Sequence, residues 1–117
     1  ALSQHRGKDT LELIARTLRR GAYNYVSLES ALSEWGAISQ IPVGRLTVMT
    51  TGRKGEYKTP YGVIEFTHTK RPLTEVLASG VERGRPLRIA SKQAALRDLK
   101  RVGRNTHLLI AEELADD

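Results

Sequence analysis

The sequence predicts an α+β fold, with helices flanking a small antiparallel β-meander in a single domain. Three observations carry that expectation. Apolar residues recur twice at one-face helical spacing before residue 40; between residues 45 and 69 the pattern changes to β-branched runs with a period of two; after Ser91 the helical spacing returns. A chain of 117 residues suits one core, because chains usually divide only at greater length.

The elements follow in order. Residues 1–8 are polar and read as a flexible N-terminal segment, and the domain proper is expected over 9–114. From Asp9 to Arg20, Leu11, Ile14, Ala15 and Leu18 line one helical face, with Asp9 or Thr10 to cap the start and Gly21 to end it. A second helix starts at Ser27, where Leu28, Ala31, Leu32 and Trp35 fall at i, i+3, i+4 and i+7 and Gly36 closes it. The two stripes are expected to bury each other, with Trp35 in the core. Arg45–Thr51 and Tyr61–Thr69 read as strands, and Glu56–Lys58 as a short strand between them. Leu73, Val76 and Leu77 give a short helix between Pro72 and Gly80, and Leu87–Ala90 is extended. Ser91 offers an N-cap to a helix carrying Ala94, Ala95, Leu96, Leu99 and Val102, which Gly103 stops. A last helix starts near Asn105 or Thr106 and runs through Leu114, leaving 115–117 as an acidic tail.

Charge is unevenly distributed. The net charge of +6 divides into five Lys/Arg against four Asp/Glu in residues 1–40, fourteen against five in 41–104, and none against four in 105–117. A basic middle is suited either to a negatively charged partner or to plain solubility. With 39% apolar residues the chain is not disordered throughout, and no apolar run is long enough to span a bilayer. There is no cysteine, which removes disulfides and thiolate chemistry and fits a cytoplasmic location. The chain opens on Ala1, and its first eight residues lack the apolar core of a secretory signal, so a processed or truncated chain is expected.

Catalytic patterns are weak, and the chain is not expected to be an enzyme or to need a cofactor. His5, His68 and His107 show no local metal-ligand spacing, and the Glu112-Glu113 and Asp116-Asp117 pairs read as a solvated face. Two basic features remain. The loop Gly52-Arg53-Lys54-Gly55 has the GxxG form with which some RNA-binding domains clamp a backbone, but those join two helices and this one follows a strand. Its two cations suit phosphate contact or an ordinary solvated hairpin. On the helix after Ser91, Arg97, Lys100, Arg101 and Arg104 recur at i, i+3, i+4 and i+7 opposite the apolar stripe, with Asp98 off to the side. That array can track a phosphate backbone or meet an acidic protein surface. With Lys58 these give the candidate binding set Arg53, Lys54, Lys58, Arg97, Lys100, Arg101 and Arg104, expected on one exterior face.

The stretch Tyr25-Val-Ser-Leu-Glu-Ser-Ala-Leu-Ser-Glu-Trp-Gly-Ala-Ile38 resembles a segment of the AbiE-type (AbiEi) antitoxins of type IV toxin–antitoxin systems. Arg88-Ile-Ala-Ser-Lys-Gln-Ala-Ala-Leu-Arg-Asp-Leu99 resembles a second element of that family, with Ile64-Glu65-Phe66 in the expected order between them. Lys92, Gln93 and Ala94 stand where family members tend to carry Pro, Glu and Lys. The resemblance implies a bacterial antitoxin that neutralises a nucleotidyltransferase-like toxin and represses its own promoter. The family's N-terminal winged helix has no counterpart in these residues. A stand-alone nucleic-acid-binding regulator or mobile-element accessory protein is the alternative.

Overall fold

The computed structural model describes residues 2–37 and 44–103, and their side chains from Thr10 onward. Helix α1 (Leu2–Leu18) leads into strand β1 (Asn24–Val26), helix α2 (Leu28–Glu34) and strand β2 (Arg45–Thr50). A hairpin of β3 (Gly55–Thr59) and β4 (Gly62–His68) follows, then helix α3 (Leu73–Ser79), strands β5 (Gly80–Val81) and β6 (Arg88–Ala90), and helix α4 (Lys92–Val102). The class is α+β. Helix α1 runs through part of the segment read as a flexible N-terminus, since an established helix gains one hydrogen bond for each residue added. The helix expected from about Asn105 lies outside the described residues.

The strands order as β3-β4-β2-β1-β6-β5. The expected antiparallel meander is corrected to a mixed sheet: β2 pairs in parallel with β4 and antiparallel with β1, while β1 pairs in parallel with β6. Composition explains the departure. Strand β2 is buried from Leu46 to Thr50, so it needs neighbours on both sides and cover on both faces. Strand β4 supplies buried Ile64 and Phe66 opposite Leu46 and Val48. Strand β3, with exposed Glu56 and Lys58, is suited to an edge and pairs with the far side of β4. Strands β1 and β5 have two or three residues each, too few to show a period in the sequence.

Alternation along the strands gives the sheet two covered faces. On one, Val26, Val48, Ile64 and Phe66 meet Leu11 and Ala15 of α1; on the other, Tyr25 and Met49 lie beneath α2 and α4. Helices α1 and α2 therefore lie on opposite faces, where mutual burial was expected, because the sheet offers each stripe a larger apolar surface than the other helix does. Trp35 is 37% exposed at the end of α2; its indole N–H donates to Ala90 O at 2.8 Å, and Arg83 lies 5.5 Å from the ring centroid. Gly103 ends α4 as the sequence predicts, in the left-handed conformation (φ 76°) with its N–H donating to Leu99 O.

Candidate partner-binding surface

The loop between β2 and β3 must pass over the end of β4 to reach the outer edge of the sheet. It is gripped from both sides as it does so. The Arg19 guanidinium lies 4.3 Å from the Phe66 ring centroid and 5.1 Å from that of Tyr57, donating through Nη2 to the Tyr57 hydroxyl at 3.1 Å and through Nε to Arg53 O at 2.8 Å. His68 Nδ1, at the end of β4, sits 2.7 Å from Gly52 O. These contacts use backbone oxygens, so the loop path is fixed while the Arg53 and Lys54 side chains stay exposed.

The two glycines have a packing reason. A Cβ on Gly52 would lie 3.2 Å from both Ala22 Cβ and Arg19 Cδ, and one on Gly55 would lie 3.3 Å from Arg19 Nη2. The GxxG spacing thus admits Arg19 to the loop. Two further cations belong to the same end of the sheet: exposed Arg20 follows Arg19, and exposed Lys70 follows Thr69, whose N–H donates to Thr50 O at 2.9 Å. Neither stands out in the sequence, since each is one cation among many and lies some 17 to 33 residues from the loop. Arg20, Arg53, Lys54 and Lys70 form no ion pair among the described residues.

The α4 array is different. Arg97 is turned inward, with Nη2 at 3.1 Å and Nε at 3.3 Å from Oδ1 of Asp98, and Nη2 donating also to the Ser79 hydroxyl at 2.9 Å. Asp98 is fully buried, where the sequence reading set it beside a cationic face. Its Oδ2 accepts from the Tyr25 hydroxyl at 2.9 Å and the Ser27 hydroxyl at 2.7 Å, and Arg71 Nε is 3.9 Å from Oδ1. Ser27 therefore spends its hydroxyl on Asp98 instead of capping α2. Burial, reinforced by the Asp98 charge and hydrogen bond, pushes the Tyr25 phenol up to about 12, so it is a neutral donor at ordinary pH.

Of the remaining cations in the predicted array, Lys100 is half-buried with a partner of its own, Arg101 is exposed, and Arg104 lies outside the described residues. Lys58 is exposed on β3, about 13 Å of strand from Lys54. Strand β3 is four strand spacings, about 19 Å, from β6, which leads into α4. The six predicted residues that are described thus divide. Arg53 and Lys54 share a braced loop, Lys58 lies on the outer strand, and the α4 residues pack with α2 and β6 beyond the middle of the sheet.

A second buried carboxylate was equally hidden in the sequence. Glu12 of α1 is fully buried, ion-paired with Arg85 and accepting from the Leu87 N–H at 3.2 Å, while Arg85 also reaches Glu34. Burial pulls the Arg85 guanidinium down, but the hydrogen bonds to Glu12 and Glu34 outweigh it and leave its pKa above the usual value. Among the described residues no three metal-ligating side chains converge, and no helix is long and apolar enough to cross a membrane. A scan against protein-family models, a search of curated proteins and a search of solved structures each returned no match to this chain.

Proposed function

We propose that this chain is a non-catalytic regulatory binding module of antitoxin type, which neutralises a nucleotidyltransferase-like toxin in the bacterial cytoplasm and contributes to DNA binding and autorepression. The observation that carries the reading is how the two AbiEi-like stretches relate in space. Tyr25 and Ser27 of the first and Asp98 of the second, 73 and 71 residues apart, are joined by hydrogen bonds in one buried network. A likeness confined to unrelated surface positions would give no reason for those three residue types to meet. The surface offered to the toxin is the braced loop with Arg53 and Lys54, flanked by Arg20 and Lys70.

Co-expression with the gene adjacent to this one tests the reading. The neighbour's product is expected to arrest growth alone and to be relieved by this chain. A harmless neighbour, or a toxic one that this chain neither relieves nor binds, overturns it.

The second reading, a stand-alone nucleic-acid-binding regulator, is favoured by one specific observation: four exposed cations at one end of the sheet form no ion pair among the described residues. Duplex binding should then weaken with salt, each phosphate contact adding about 0.9 to the log–log slope. The absence of micromolar binding at low salt excludes this reading.

A further inference from the structure

Strand β3 is the outer strand of the sheet, with no strand beyond it among the described residues. A two-residue turn, Pro60-Tyr61, joins it to β4, and Thr59 pairs with Gly62. In that geometry Gly55, Tyr57 and Thr59 exchange main-chain hydrogen bonds with β4, while the main-chain groups of Glu56 and Lys58 point away from it. The far side of β4 agrees. Val63, which pairs with Lys58, donates its N–H to Gly44 O at 2.8 Å, on the β2 side. Glu56 and Lys58 thus offer their N–H and C=O groups to another strand.

The side chains decide which strand fits. Glu56 and Lys58 are both exposed and share one face of the sheet, whereas Tyr57 turns to the other face and meets the Phe66 ring edge-on. Arg45 is shared between Glu56 and Glu65, and Lys58 forms no ion pair among the described residues. A second β3 running antiparallel must bond through the same outward groups. Setting Glu56 opposite Glu56, or Lys58 opposite Lys58, brings like charges together. Setting Glu56 opposite Lys58 places the two-fold axis at Tyr57, and the symmetry then makes the opposite-charge pair twice.

We propose that β3 pairs with β3 of a second copy of this chain, antiparallel about a two-fold axis at Tyr57, so that one sheet runs through both copies. The two Tyr57 residues form a non-hydrogen-bonded pair, the closer kind, on the face that carries Phe66. Pro60 has no N–H and ends the ladder. The assembly closes at two copies, because the opposite edge of the sheet, β5, is only two residues long. Lys54 of one copy lies about 20 Å along the strands from Lys54 of the other, so the two basic loops flank the axis.

Charge complementation on the full chain tests the pairing, with sedimentation equilibrium across a range of concentrations as the readout. The parent chain is expected to dimerise as concentration rises. Glu56→Lys makes both facing pairs Lys–Lys and Lys58→Glu makes both Glu–Glu, so each variant alone should dimerise at least about tenfold more weakly. Their equimolar mixture should restore pairing as a heterodimer, and the chain carrying both substitutions should dimerise like the parent. A parent chain that stays monomeric at hundreds of micromolar overturns the proposal. So does dimerisation that neither single substitution weakens, which would place the interface elsewhere, or weakening that neither the mixture nor the doubly substituted chain reverses.

Discussion

Arg97 and Arg53 look alike in the sequence, each a cation beside a second basic residue or an acid on a polar stretch, but the structure uses them in opposite ways. Around Arg97 the guanidinium is matched to a buried carboxylate that also accepts two hydroxyls, and a second buried carboxylate, Glu12, is likewise matched to Arg85 and to the Leu87 N–H. Around Arg53 the backbone is matched instead: Arg19 and His68 hold the loop carbonyls, and the cationic side chains are exposed and form no ion pair among the described residues. The difference separates charges that hold the elements together from charges available to something else. It also moves the candidate surface from the α4 array toward the loop and its neighbours Arg20 and Lys70.

The largest expected effect lies on the inward side. Replacing Asp98 by Ala strands Arg97 and leaves the Tyr25 and Ser27 hydroxyls without an acceptor, which should cost about 3–5 kcal/mol in urea unfolding. Arg85→Ala leaves the buried Glu12 carboxylate unpaired and should cost a similar amount, about 3–5 kcal/mol. A loss below about 1 kcal/mol in both would put these pairs with ordinary surface ion pairs and erase the contrast.

Next in size is a pH effect. The folded Tyr25 phenol keeps its proton up to about 12, whereas the unfolded one releases it near 10. The unfolded state thus binds fewer protons between those values, and stability falls as pH rises from 10 to 12, by on the order of 2 kcal/mol from this residue. Tyr25→Phe should cost about 1 kcal/mol at neutral pH through the lost hydrogen bond and flatten the alkaline limb. An alkaline limb as steep as that of the parent chain would show that Tyr25 does not carry it.

The smallest stability effect belongs to the loop. Arg53→Ala with Lys54→Ala should change unfolding free energy by no more than about 0.5 kcal/mol, since both side chains are exposed and form no ion pair among the described residues. A larger loss would mean that these residues too serve the fold.

Much of the fold is legible in the sequence because it rests on periodicity and punctuation. Leu28, Ala31 and Leu32 are buried at helical spacing, Gly103 stops α4, and Ile64 and Phe66 alternate into the core. Strand order is less legible, since whether β2 pairs with β3 or β4 depends on the relative burial of whole strands. The buried carboxylates were least visible of all. Asp98 and Glu12 occupy polar-looking helix positions, and their partners Tyr25 and Arg85 lie 73 residues away in each case, beyond any local pattern. For the same reason the helical spacing that grouped Arg97 with Arg101 could not tell which of them faces an acid. The GxxG loop was visible as a motif, but its reason, room for Arg19, was not.

The division between holding charges and presented charges is tested most directly by reversing the loop alone. On the proposed antitoxin function, Arg53→Glu with Lys54→Glu should abolish relief of the growth arrest caused by the adjacent gene's product, while leaving the purified chain folded, with a melting temperature within a few degrees of the parent. Full relief by the reversed loop, with the same folded stability, would contradict the account and move the binding surface elsewhere on the molecule.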